Sequence, residues 1–385
     1  MPEIGTPGLM SGDGKRGVGH RPQATAPVLD STKSEVELRE TWSHEIVIPQ
    51  DRLSIWARIS IRQDANIFAG GRRLRTLLVE PIERAKRLRS PLILLCVAGA
   101  PWFSTITYAG SARDYLNAPI DSWLTTYNAS YSASVTPEDG TDISSRSRSN
   151  VFTQSVVISR TMDFWGRTGG LSVVLPYVFA GVNSSPIQAR TNGVSDIGFL
   201  WQMNIFGGPA LTREQFLSFV PQTFSSFHLY VGTPVGTYNA ISPINPSANR
   251  WTISPTINYS YTPDQGRTWL ETYFSAQFFT DNNDFRAGGA QMLSQNPIFR
   301  VEEHLSHNLT DVLWLSADAY YNVGGETSID GNAQDNMANT LRVGAGMGLR
   351  IWRGADLVLN YEFVVAKPSG EPDAQTVRFT IRQLW

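Results

Sequence analysis

From Trp123 onward, apolar or aromatic residues recur at every second position, with Ser, Thr, Asn, Gln, Gly or charge between them. A side-chain period of two belongs to a strand whose two faces meet different surroundings. In the first segment Trp123, Thr125, Tyr127, Ala129, Tyr131, Ala133 and Val135 share one face, and Thr126, Asn128, Ser130, Ser132 and Ser134 share the other. The same division sets Trp251, Ile253, Ile257, Tyr259 and Tyr261 against Thr252, Ser254, Thr256, Asn258 and Ser260. It sets Leu341, Val343, Ala345, Met347, Leu349 and Ile351 against Thr340, Arg342, Gly344, Gly346, Gly348 and Arg350. Leu357, Leu359, Tyr361, Phe363 and Val365 stand against Asp356, Asn360 and Glu362 in the same way. Weaker segments at 150–161, 171–179, 197–206, 227–233, 270–279, 298–305, 313–323 and 377–385 bring the total to twelve, an even number.

Segments of about ten residues suit a tilted membrane strand, whereas strands of soluble proteins average about five or six. The connections alternate in length as well. They are long after segments one, three, five, seven and nine, and short at 163–170, 262–267, 306–311 and 353–356. Short periplasmic turns and long external loops produce that rhythm when both chain ends are periplasmic. One connection, 207–225, breaks it, and 212–220 within it is expected to form a short helix plugging or capping the periplasmic mouth. The last segment carries Val377, Phe379, Ile381 and a terminal Trp385, interrupted by Gln383. That row resembles the signal read by the outer-membrane assembly machinery, and Trp123, Trp251, Trp269, Trp352 and Trp385 are placed for interfacial girdles.

These patterns predict an all-β chain: an antiparallel transmembrane β-barrel of about 12 strands over 113–385, preceded by a disordered or irregular N-terminal region and a signal segment. Composition agrees without deciding it. No stretch approaches the roughly 20 apolar residues of a membrane helix, and alternation hides a membrane barrel from any averaged hydropathy. Residues 113–385 hold 17 Lys and Arg against 23 Asp and Glu, with Lys367 the only lysine. That acidic balance excludes a basic nucleic-acid surface. Cys96, the single cysteine, lies upstream, which removes disulfide, zinc and thiol-nucleophile chemistry from the barrel.

Upstream, Lys86-Arg87-Leu88-Arg89 precede an apolar run at 91–100 and small residues Ala109, Gly110, Ser111 and Ala112. This is the order of a secretory signal, placed at 86–112, with cleavage expected after Ala109 or Ala112. Leu94 and Leu95 stand before Cys96 where a lipid-attachment box needs small residues. Residues 1–85 are rich early on in Gly, Pro, Arg and Ser, and read as disordered or as an upstream extension, translation beginning near 77–79. A core strand or helix is the alternative reading of the apolar run.

Further motifs carry a family resemblance. Asp196, Gly208-Pro209-Ala210-Leu211, Pro234-Val235-Gly236-Thr237-Tyr238, Asn249-Arg250-Trp251 and Gly324-Gly325-Glu326-Thr327 resemble the outer-membrane transporter family of the meta-pathway of phenol degradation, over Tyr115 to Trp385. The family tends to Gly-Asp where this chain has Ser195-Asp196, and to Gln-Tyr-Asp where it has Thr237-Tyr238-Asn239. The resemblance implies a porin-like pore for passive uptake or efflux of small hydrophobic or aromatic molecules in a Gram-negative outer membrane. Its partners would be the lipid bilayer, lipopolysaccharide, the assembly machinery and the small-molecule cargo.

If the apolar faces meet lipid, the opposite faces line a lumen. The lumen candidates are Asn258, Glu271, Gln277, Arg300, Glu302, His304, Asp318, Arg342, Arg350, Asn360, Glu362, Arg378 and Arg382. Arginine–carboxylate pairs among them read equally as a mesh that holds a narrow barrel together and as a permeation path. A barrel hydrolase is the rival class. It needs a nucleophile, a histidine and a third polar group in reach, and 113–385 holds only His228, His304 and His307 and no Gly-x-Ser-x-Gly elbow. A structural or adhesion barrel with partner-binding loops at 136–149, 281–296 and 326–339 is the third class. The acidic loops lack the ligand spacing of a calcium site, so no metal, cofactor or catalytic residue is expected.

Overall fold

The computed structural model describes residues 110–136, 147–184 and 187–385; the expectations for 1–85, for Cys96 and for all but the last residues of 86–112 lie outside them. The strands are β1 (Trp123–Thr136), β2 (Ser147–Phe164), β3 (Arg167–Ser184), β4 (Ile187–Val194), β5 (Gly198–Phe206), β6 (Phe224–Gly232), β7 (Thr252–Tyr261) and β8 (Thr268–Phe279). They continue with β9 (Leu293–Gln295), β10 (Ile298–Asn308), β11 (Leu313–Gly324), β12 (Thr327–Ile329), β13 (Asn332–Ala333), β14 (Ala338–Trp352), β15 (Ala355–Ala366) and β16 (Asp373–Leu384).

Thirteen strands form one antiparallel sheet that closes on itself, β1 pairing with β2 on one edge and with β16 on the other. β4 and β5 are two halves of one stave, because β4 pairs with the outer part of β3 and β5 with the inner part. The barrel therefore has 12 staves. The closing seam runs from Leu124↔Leu384 to Val135↔Asp373, and the Trp385 amide adds a bond to the Trp123 carbonyl at 2.8 Å. Closure pairs every strand of the sheet on both sides except β4, which pairs with β3 alone, so backbone amides inside lipid find partners in the wall itself.

The two faces are inverted relative to a soluble protein. Leu175, Phe199, Ile257, Phe274, Phe299, Leu315 and Leu359 stand exposed on the outside, while buried polar and charged side chains outnumber buried hydrophobic ones among the described residues. Trp123, Trp251, Trp352 and Trp385 are exposed near strand ends, the level where amphipathic rings sit between lipid and water. Trp269 departs from that girdle: it shares the inward parity of Glu271 and Tyr273 and packs edge-on against Phe224.

The short turns follow from local chemistry. Between β2 and β3, Trp165 and Gly166 both have positive φ, 53° and 79°, which a two-residue hairpin twisting with its strands requires. The long connection expected after the third segment is instead a hairpin: β2 and β3 each run 18 residues, about twice what a bilayer needs, and β4 returns along β3. The stave breaks at residues 195–197, where Asp196 accepts from Ser247 Oγ at 2.5 Å and from the amides of Ala248 at 2.9 Å and Gly236 at 3.2 Å. Burial pushes this carboxyl above the usual range even against those three donors.

Three connections at the same end of the barrel, 233–251, 280–297 and 325–337, interlock. β9, β12 and β13 form a small sheet across two of them, over a cluster of Phe285, Ala287, Ala290, Leu293 and Ile329. The third joins through Arg286 N to Ala240 O at 2.9 Å and Asn282 Nδ2 to the Tyr238 hydroxyl at 2.9 Å. At the opposite end, the helix expected in 207–225 is a single turn, α1 (Arg213–Phe216), capped by Thr212 with a reciprocal Gln215 bond. None of its residues is buried, so it does not enter the lumen.

Candidate functional site

Alternation aims a ladder of polar side chains inward from each stave. On β10 these are Arg300, Glu302, His304 and Ser306, and on β11 Ser316, Asp318, Tyr320 and Asn322. The inward residues of β14 beyond Arg342 are Gly344, Gly346 and Gly348. A Cβ on Gly348 would fall inside the Trp314 ring, and one on Gly346 would strike Ser316 and Asn360. The glycines thus let larger neighbours lie across β14.

His304 is fully buried at the centre of this wall. Its Nδ1 meets Asp318 Oδ1 at 2.7 Å, and its Nε2 lies 3.6 Å from Glu302, an ionic contact beyond hydrogen-bond length. Tyr273 and Tyr320 flank the ring edge-on at 5.6 and 5.4 Å. Ser316 donates to the other Asp318 oxygen at 3.1 Å, Arg300 reaches Glu302 at 3.5 Å and Asn322 at 2.6 Å, and Arg342 pairs with Glu362 at 2.9 Å.

Residues 110–122 run through the barrel as a plug, which the strand pattern did not announce. Ala112 is fully buried between Trp314 and Val358. Ser111 donates to Asn360 at 2.9 Å, and the Arg113 amide donates to Glu271 at 2.8 Å. The Arg113 guanidinium reaches Ser306 at 2.8 Å and Asn308 at 2.5 Å, near the short turns, and lies 5.0 Å from the Trp314 ring centre. Asp114 pairs with Arg382 at 3.1 Å, and the Tyr115 ring meets His228 edge-on at 4.0 Å. Asn117 and Ile120 tie the base of the segment to Pro209 and Leu211.

The lumen candidates thus divide by task. Glu271, Asn360 and Arg382 hold the plug; Glu302, His304 and Asp318 hold one another; Asn258 receives Ser226 and Ser260 at 3.2 and 3.1 Å. Arg300, Arg342, Arg378, Arg382 and Glu362 line a cavity of about 290 Å³, and Gln277 lines a smaller one of about 40 Å³ beside it. Arg350 keeps the inward parity but stands exposed at the rim beside the 353–354 turn, because β14 outruns the lumen there; it is not a lumen residue.

The larger cavity reaches from Asp114 and Tyr115 in the plug to Ser134 and Ser149 near the far ends of β1 and β2. Ser130, Ser132, Ser155 and Ser159 make one side a hydroxyl surface, and Val151, Val174, Val178 and Leu200 make a greasy one. Sequence reasoning passed over that apolar patch. Its signal was present in Val173-Val174-Leu175, where β3 is apolar on both faces.

The arrangement suits solvation and passage better than bond-breaking. His304 is occupied by carboxylates and touches no serine hydroxyl in hydrogen-bond reach. Ser226 Oγ does lie 2.7 Å from His228 Nε2, but His228 Nδ1 has no partner where a hydrolase places an orienting acid. Among the described residues no three His, Cys, Asp or Glu side chains are grouped to hold a metal.

The motif residues separated in sequence converge at the two ends of the barrel. Asp196, Gly236, Thr237, Asn249, Arg250 and Gly325 meet in the loop cap, Arg250 bonding Gln295, which donates to the Gly325 carbonyl at 2.9 Å. Gly208, Pro209 and Leu211 hold the plug and the β2–β3 turn.

The outer membrane channel from Pseudomonas putida F1 is similar in structure, with a TM-score of 0.60 at 18% identity, covering 72% of this chain and 100% of that one. The translocator domain of the autotransporter NalP from Neisseria meningitidis is more distant, with a TM-score of 0.41 at 11% identity over 79% of this chain and 95% of that one. A FadL homologue from Pseudomonas aeruginosa follows at 0.37 and 8%, over 69% and 90%. At 18% identity the likeness to the Pseudomonas putida F1 channel speaks to fold alone. No curated protein sequence matches the chain significantly. The sequence family described as the MetA-pathway of phenol degradation matches residues 128–370, well over half of the chain, and the chain belongs to that family.

Proposed function

We propose that this barrel is a passive channel of a Gram-negative outer membrane for small hydrophobic or aromatic molecules. The observation that carries the reading is the cavity of about 290 Å³ enclosed by a closed wall, polar within and greasy without. Its volume lies near the lower bound of small-ligand sites, about 300 Å³, which limits cargo to single-ring dimensions. The similar Pseudomonas putida F1 protein is an outer membrane channel, and the family description points to phenol breakdown. Lipid and lipopolysaccharide surround the outer face, and Val377, Phe379, Ile381 and Trp385 form the handle for the assembly machinery. No catalytic step belongs to this reading.

Cleavage of the signal segment after Ala109 leaves the plug whole, whereas cleavage after Ala112 removes Ser111 and Ala112 from their seats against Asn360 and Trp314. N-terminal sequencing of the membrane form is expected to begin at Gly110. The function is tested by swelling of liposomes that carry the purified barrel. Phenol-sized solutes are expected to enter faster than into protein-free liposomes, and disaccharides are not. Equal rates with and without protein for every solute would refute the channel.

A further inference from the structure

We propose that the cargo this lumen favours is an amphipathic organic anion: a single apolar ring bearing one carboxylate. The inference rests on the channel reading above and names its substrate class.

Two walls of the cavity differ in chemistry. Arg300 on β10, Arg342 on β14, and Arg378 and Arg382 on β16 present four guanidinium groups to it. The carboxylates on the same surface from these staves and the plug are Glu362 and Asp114. Glu302 stands behind Arg300 and is shared with His304, so positive charge remains in excess at the cavity surface. Arg342 and Arg382 each keep a buried Nε–H without an acceptor, although their Nη1 atoms are paired. A carboxylate is the acceptor that a guanidinium fits best.

An apolar patch lies among the hydroxyls of the other staves. Val151 on β2, Val174 and Val178 on β3, and Leu200 on β5 line the same cavity, with Val157 and Tyr230 packed beside Val174 and Leu200. In the stave order, β2, β3 and β5 are neighbours and lie across the barrel from β10, β11 and β14, which carry Arg300 and Arg342; β16, which carries Arg378 and Arg382, is separated from β2 by β1 alone. A ring against the valines and leucine therefore has Arg300 and Arg342 across the lumen and Arg378 and Arg382 to one side for its carboxylate. Serine hydroxyls of β1 between the two walls offer further donors along the way. A neutral phenol uses the apolar wall and the hydroxyls alone, and acetate uses the arginines alone; an aryl carboxylate uses both.

The test is ion selectivity of the purified full-length protein in planar bilayers. A KCl gradient is expected to give a reversal potential on the anion side. With chloride replaced by benzoate or by acetate, benzoate permeability is expected to exceed acetate permeability by about tenfold, because both anions meet the arginines and only the benzoate ring gains from burial against the valines and leucine. The double variant Arg300→Gln/Arg378→Gln is expected to lose the anion preference, and Val174→Ser/Leu200→Ser is expected to bring benzoate down to acetate. Cation selectivity, or benzoate no more permeant than acetate in the wild-type protein, overturns the inference and leaves the channel standing if phenol still enters. Absence of both current and swelling overturns the channel reading and the inference with it. The wild-type comparison needs no variant, so a variant that fails to fold does not spare the proposal.

Discussion

Arg342 and Glu362 lie 2.9 Å apart on neighbouring staves, with side chains 14% and 7% exposed, so neither charge is fully hydrated. Glu362→Gln removes the partner and leaves a guanidinium whose Nε already lacks an acceptor. Breaking a dry pair costs roughly 3–5 kcal/mol, and the adjoining cavity admits water, so the expected loss is about 2 kcal/mol. Urea unfolding in detergent checks this, with Arg342→Met/Glu362→Met expected to recover most of the loss. An unchanged midpoint for the single variant means that water already solvates the pair. Residue-level roles were only partly legible. Parity along β10 and β11 put Glu302, His304 and Asp318 on one side of the sheet, but their mutual contacts depend on a register that the chain does not spell out. Arg350 shows the limit of parity, because a correct facing says nothing of depth along the barrel.

At the scale of elements, every alternating segment became a stave because the wall imposes a single requirement on each: greasy on one face, wet on the other. The plug has no such requirement. Residues 110–122 carry no period, and their place is set one contact at a time by Asn360, Glu271, Ser306 and Arg382. The loop cap was illegible for the same reason, being built from hydrogen bonds such as Asp196 to Gly236 and Ala248. If the plug narrows the path, Arg113→Ala/Tyr115→Ala loosens it without touching the strand ladders. Single-channel conductance is expected to rise with the barrel still folded, as judged by its heat-dependent gel mobility. Unchanged conductance in a folded variant would place the constriction elsewhere.

The whole molecule is inverted: the wet surface is the inside of the cylinder and the greasy one its outside. Ser132 and Tyr131 are adjacent in β1, yet Ser132 lines the cavity and Tyr131 is 49% exposed on the outer wall. Cys96 is the chain's only cysteine and precedes the barrel, so a thiol placed on β1 is unique within it. The most direct measurement is channel current during treatment with a charged, water-soluble thiol reagent. Ser132→Cys is expected to react and lose current, while Tyr131→Cys keeps its current. Block at Tyr131→Cys with Ser132→Cys untouched would contradict the account.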